Sequence, residues 1–316
     1  MSSQSGRPLK VGLFIGLFEG FMNGQTARWT EIADMAHKAE ELGFDSIWLP
    51  DHFLIRDDLE EGTVGVWECT TMLSALAAAT SRVELGTLVM CSGFRNPAML
   101  AKMADTIDEI SSGRLILGLG AGYHDPEYQA FGYPTDHRYS RFAEAIQIIH
   151  GLLRDGSIDF DGTYYQAREC ELRPRGPRAG GPPIMIGTKG PSMLRLTAQY
   201  ADLWNAFLLR GRSLPEDLEP ATGQLDAACK EVGRDPSTLG RTATVHWNAS
   251  HRVEVMPSWI RSRYGPPLTG RPDELADVFR KFARAGISHI QVVTWPNSLA
   301  GIEALCPVLE ALDQTS

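Results

Sequence analysis

Eight times along this chain a short apolar run gives way to a stretch of helical period, and this alternation constrains the fold more than any other feature. The apolar runs lie near 10–17, 46–50, 83–89, 115–120, 183–187, 201–206, 241–247 and 289–295. They carry little polar alternation, as expected of parallel strands buried on both faces. Helical patterns fill the intervals at 26–42, 67–80, 96–111, 138–153, 191–200, 215–232, 272–285 and 299–312. In the first of these, Ile32, Met35, Ala36, Ala39 and Leu42 share one stripe, and Gly43 is placed to stop the helix. Eight βα units without a shift in composition predict a closed (β/α)8 TIM barrel, an α/β fold, over an open doubly wound sheet. All 316 residues then form one domain.

Two stretches interrupt the regularity and read as insertion loops, at about 157–182 and 248–270. The first contains strand-like sequence around an Asp161-Gly162 turn, which predicts a hairpin, and then a Pro-, Gly- and Arg-rich segment. The second follows the seventh strand and has the composition of a lid.

A formal net charge of −9 argues against a broad nucleic-acid or anionic-membrane surface. The five cysteines form no C-x-x-C pair, which reads as reduced thiols without a structural zinc site. Residues 1–10 are polar, and the longest apolar run is too short to span a bilayer. A cytoplasmic protein is expected.

In a barrel of this kind the chemistry sits at the C-terminal ends of the strands. Asp51 and His52 end the second strand, where a histidine suits acid–base work and where the pair equally suits capping of the next loop. The turn Gly187-Thr188-Lys189-Gly190 joins a strand to a helix, so its amides and Lys189 are placed to bind phosphate; a tight βα turn would need the same glycines. Gly118 to Gly122 lacks the third glycine of a dinucleotide fingerprint, and its small residues suit a flat ring lying against backbone. Glu68 opens the helix after the second strand, where a carboxylate favours the helix dipole and could also relay protons. His246 and His251 have no partner at metal-ligand spacing, no H-E-x-x-H occurs, and no G-x-S-x-G elbow is present.

The segments 46–53, 84–89 with Arg95-Asn96-Pro97, 113–123, 183–190, 270–274 and 285–289 resemble, in order, those of the luciferase-like flavin and deazaflavin oxidoreductases. The resemblance implies a barrel that holds FMN or coenzyme F420 across its mouth and forms a homodimer. It implies cofactor contacts at Asp51, His52, Leu88, Val89, Cys91, Gly120, Gly187, Thr188, Lys189 and Gly190, with a non-proline cis peptide near Leu88–Val89. Asp51-His52-Phe53 and the acidic Asp125-Pro126-Glu127 are similar to the F420-dependent branch. Arg95, Arg173, Arg175, Arg178 and Lys189 are then candidates to receive its acidic tail. Arg56 stands where sugar-phosphate dehydrogenases of that branch place a tryptophan, which argues against glucose 6-phosphate.

The expected activity is hydride transfer between F420 and a small organic substrate. His52 is the expected proton donor or polariser, with Asp51 fixing its tautomer, Tyr123 and Glu68 as relay candidates, and Phe14, Trp247 and Trp295 as apolar walls. The alternatives are an FMN-dependent monooxygenase served by a separate reductase, and a non-catalytic flavin-binding protein.

Overall fold

The computed structural model describes residues 6–56, 62–208, 210–249, 256, 260 and 264–314. Its strands in chain order are β1 (Lys10–Phe14), β2 (Ser46–Leu49), β3 (Leu54–Arg56), β4 (Thr63–Gly65), β5 (Glu84–Thr87), β6 (Met90–Cys91) and β7 (Leu115–Gly120). They continue with β8 (Ser157–Asp161), β9 (Gln166–Glu171), β10 (Ile184–Gly187), β11 (Leu203–Phe207), β12 (Gly240–Asn248) and β13 (His289–Trp295). Eight of them close a parallel ring in the order β1, β2, β5, β7, β10, β11, β12, β13, and β13 pairs back to β1. The two-residue β6 continues β5 and pairs with the upper end of β7. The expected (β/α)8 barrel is the observed fold.

Strand alternation sorts side chains between the barrel interior and the helix layer. Trp48 points inward and is fully buried; its Nε1 donates to Ser46 Oγ at 2.6 Å. Space for the indole depends on Gly12 and Gly86, where a Cβ would lie 2.5 and 2.2 Å from its atoms. Phe14, Ile116, Met185, Val293 and Trp295 join Trp48 in this inner cluster. The outward faces pack on α1 (Trp29–Glu41), α2 (Cys69–Ala79), α3 (Pro97–Ile110) and the helices that follow. Each buried aliphatic or aromatic side chain contributes about 1.5–3 kcal/mol relative to exposure.

Local chemistry explains the element boundaries. Asn96 caps α3 by accepting from the amides of Ala98 and Met99, with Pro97 in the first turn. The first strand stops at Phe14, short of the expected Leu17, because the Gly16 amide leaves the ladder and donates to Asn297 Oδ1 at 2.9 Å. The hairpin expected around Asp161-Gly162 is β8–β9. A second hairpin, β3–β4, was not foreseen, nor was the short helix α4 (Asp125–Ala130). Most of 250–263 lies outside the described residues, and His251 with it. Within that stretch Met256 and Ile260 are buried against the inner cluster. Among the described residues no helix is long and apolar enough to cross a membrane.

Candidate active site

The strand ends open into a cavity of about 470 Å³. Asp51, His52, Leu88, Val89, Cys91, Gly120, Tyr123, Gly187, Thr188 and Lys189 all line it. Glu68 and Gly190 are not among its lining residues.

His52 follows β2, and its polar partner is not the one expected from sequence. Its Nδ1 lies 2.8 Å from Oε1 of Glu127, and the other oxygen of that carboxylate accepts from the amide of Phe53 at 2.9 Å. Glu127 is carried by α4 and is 1% exposed. The expectation that Asp51 orients His52 is therefore corrected: Glu127 does so. An ionised carboxylate can only accept, so Nδ1 carries the hydrogen and Nε2 is the ring nitrogen left for a ligand. The ring stands edge-on to Tyr123, with centroids 5.5 Å apart, and is tilted against Phe18 at 5.9 Å.

Asp51 serves a different purpose. Arg95 binds it with both terminal guanidinium nitrogens, at 2.7 and 2.9 Å, and Asp51 Oδ2 also accepts from the Cys91 amide at 2.8 Å. The pair is buried and ties the end of β2 to the segment after β6. Arg95 also donates to Glu68 Oε1 at 2.5 Å. Glu68 caps α2 through the amides of Thr70 and Thr71. Burial alone would raise its pKa, but the hydrogen bonds from Thr70, Thr71 and Arg95 outweigh this and hold it down to about 2. So low a value makes Glu68 a poor proton relay.

Between β5 and β6 the Leu88–Val89 peptide is cis, at the position the resemblance implied. Val89 faces Gly120 and Gly187, where an added Cβ would lie 2.8 and 3.1 Å from its methyl carbons. At Gly118 a Cβ would sit 1.9 Å from the Thr87 carbonyl, and at Gly122, with φ +75°, 2.2 Å from the Tyr128 hydroxyl. The glycine run thus admits the protein's own groups, and Gly120 and Gly122 also line the cavity. Cys91 shares a 2.8 Å hydrogen bond with Tyr128, and burial pushes its thiol up to about 12, so it lines the cavity as a neutral wall.

The turn after β10 is pinned from behind: Trp204 Nε1 donates to the Thr188 carbonyl at 2.9 Å. The helix Pro191–Tyr200 begins there with no side-chain cap. Lys189 shares the cavity with Arg210, which the sequence reading missed. Burial, and then the charge of Arg210, lower the Lys189 pKa, with Asp217 opposing. No ion pair engages either cation among the described residues, so two like charges face a common space that suits an anion.

The other expected arginines lie elsewhere. Arg95 is held by Asp51 and Glu68. Arg178 pairs with Asp108 and bonds the carbonyl of Leu115, the first residue of β7, which places it at the opposite end of the barrel. Arg175 bonds the Leu153 and Ala179 carbonyls, and Arg173 pairs with Glu171 on the surface. Of the expected apolar walls, Phe14 lines the cavity and Trp295 lies buried in the inner cluster. Trp247 faces the helix layer instead, because its neighbour His246 takes the inward position on β12. His246 is fully buried, edge-on to Tyr264 at 6.2 Å, and burial pushes its pKa down to about 4. No group of three or more metal-ligating side chains occurs among the described residues.

The family model described as luciferase-like monooxygenase matches residues 9–285. The F420-dependent glucose-6-phosphate dehydrogenase of Kineococcus radiotolerans is 34% identical over 88% of this chain and 79% of the relative. The pyrimidine monooxygenase RutA of Rhizobium rhizogenes is 36% identical over 64% of this chain and 56% of its own. Against the first relatives matched, the chain spans less than two thirds of the relative's length, at 58%, 59% and 56%. In fold, the chain is similar to an F420-dependent secondary alcohol dehydrogenase solved with an F420-acetone adduct, with a TM-score of 0.78 at 20% identity. That superposition covers 96% of this chain and 99% of the other.

Proposed function

We propose, on the premise that the chain belongs to the luciferase-like monooxygenase family, that it is an oxidoreductase moving a hydride between coenzyme F420 and a small organic substrate. The observation that carries this reading is the buried Glu127 carboxylate 2.8 Å from Nδ1 of a cavity-lining histidine. Such a pair supports acid–base work at Nε2, which carbonyl–alcohol interconversion requires. The 34% identity with an F420-dependent dehydrogenase supports the choice of cofactor.

The residues present fit a flat ring with a phosphate-bearing tail. Leu88, Val89 and Phe14 offer apolar surface for the ring, and Lys189 and Arg210 offer two cations beside an uncapped helix start for the phosphate. A deazaflavin, when bound, supplies or accepts the hydride and reacts poorly with oxygen. Neutral His52 accepts a substrate hydroxyl proton at Nε2 as the alcohol is oxidised, and the imidazolium returns it in the reverse direction. Glu127 keeps Nε2 bare in the neutral ring and stabilises the charge once His52 is protonated.

The identity with a pyrimidine monooxygenase favours a second reading, an FMN-dependent oxygenase. Under nitrogen, protein loaded with reduced deazaflavin and given a mixed set of small aldehydes and ketones should show oxidation of the deazaflavin. Substrate conversion only with reduced FMN and oxygen would replace the first reading by the second.

A further inference from the structure

The cavity walls restrict what can be presented to His52. Each carboxylate or amide side chain among the described lining residues has protein partners: Asp51 holds Arg95, Glu127 holds His52 and the Phe53 amide, and Asn205 bonds Thr242 and Gln291 at 2.9 and 2.8 Å. Among the described lining residues, the cations Lys189 and Arg210 lie on one side. In the eight-strand ring, β11, which leads to Arg210, lies four strands from β2 in either direction and so directly across the barrel from His52.

Among the described residues, those whose rings face His52 are aromatic. Phe18, after β1, and Tyr123, after β7, flank the imidazole. Phe21 extends the wall, with its ring 5.3 Å from Phe18 and 4.9 Å from Trp295. Gly16 makes this wall possible, since a Cβ there would lie 2.0 Å from the Phe21 ring. A phosphorylated or polyhydroxylated body packed on the buried rings of Phe18 and Phe21 would face carbon, at a cost of about 1–3 kcal/mol for each unmatched buried group.

We infer that the substrate is a neutral, largely apolar ketone or its secondary alcohol, with one oxygen directed at His52 Nε2 and a carbocyclic or aromatic body between Phe18 and Tyr123. This rests on the F420 reading. In the reducing direction the carbonyl carbon gains a hydride from the reduced deazaflavin, the carbonyl π pair moves to oxygen, and that oxygen takes the proton from His52. The ketone is reduced by two electrons and the deazaflavin is oxidised by two.

The test uses the full chain loaded with F420, with cyclohexanol and glucose 6-phosphate as probes. Cyclohexanol should be oxidised with a kcat/KM at least about a hundredfold above that of the sugar phosphate, and addition of cyclohexanone to the loaded protein should perturb F420 fluorescence. Tyr123→Ala, at an exposed position, should raise KM for cyclohexanol about tenfold while F420 affinity stays within about threefold; Phe18→Ala should act likewise. F420 binding with equal or greater preference for glucose 6-phosphate, or wall variants that leave KM unchanged, would overturn this inference alone. Failure of the protein to bind F420 would overturn the cofactor reading and the inference together.

Discussion

Nδ1 of His52 and Oε1 of Glu127 are 2.8 Å apart, although the two residues are 75 positions apart in the chain. The contact exists because α4 begins just after β7 ends, and so places Glu127 beside the end of β2. The same carboxylate accepts from the Phe53 amide, which fixes both the backbone after His52 and the tautomer of its ring.

His52→Ala should lower kcat by about 10²–10⁴-fold while leaving F420 affinity nearly unchanged. Glu127→Gln should lower kcat less, by about tenfold, because an amide oxygen still accepts from Nδ1 but the bond to the Phe53 amide is lost. Steady-state kinetics together with F420 titration separate these outcomes. A parallel loss of affinity in His52→Ala would assign the histidine to binding instead.

Arg95→Ala should destabilise the fold by about 3–5 kcal/mol, since it leaves the buried Asp51 carboxylate without its partner. Urea denaturation of the apoprotein measures this directly. A mild change in stability with a large loss of cofactor affinity would return Arg95 to the ligand-binding role suggested by sequence.

Acid sensitivity should arise at the barrel floor as well as at its mouth. Burial, helped by the charge of Lys10, pushes the His289 pKa down to about 3 from 6.5, and its Nε2 lies 2.7 Å from Ser46 Oγ. With the folded value depressed, the unfolded chain binds the extra proton first, so stability is full above pH 6.5 and is lost as pH falls toward 3. His246, pushed to about 4, adds to the same window. His289→Gln should flatten the dependence of the urea midpoint on pH between 6.5 and 4; an unchanged slope would mean that other groups dominate.

Gly118→Ala should be among the most damaging single changes, because its Cβ would lie 1.9 Å from the Thr87 carbonyl where β5 passes β7. A cost of about 3 kcal/mol or more is expected by thermal or urea unfolding. Gly190→Ala, with no atom within 4 Å of the added carbon, should be nearly neutral for folding and serves as the control.

The barrel was legible because a closed parallel sheet imposes buried strands and amphipathic helices at regular intervals, a signal that survives local irregularity. Much of the cavity was legible for a related reason: strand ends converge, so Asp51, Leu88, Gly120 and Gly187 could be placed at one mouth without distances. Partner choice was not. Asp51 beside His52 in sequence pointed to the wrong orienting group, since adjacent side chains at a strand end diverge, while Glu127 arrived on a helix too short to leave a periodic signature. Its Asp125-Pro126-Glu127 run, an acidic first turn with proline, was the available signal. Arginines 173 to 178 were misplaced because a loop rich in Pro and Gly carries no direction in its composition. Arg210 was overlooked for want of any motif around it.

The most direct measurement titrates purified apoprotein with F420 and, separately, with FMN, following quenching of its tryptophans, of which Trp204 bonds the proposed phosphate turn. F420 should bind at least about tenfold more tightly than FMN, and Lys189→Ala and Arg210→Ala should each weaken it by about tenfold. Tighter binding of FMN, or F420 affinity indifferent to both substitutions, would contradict the proposed cofactor and its seat.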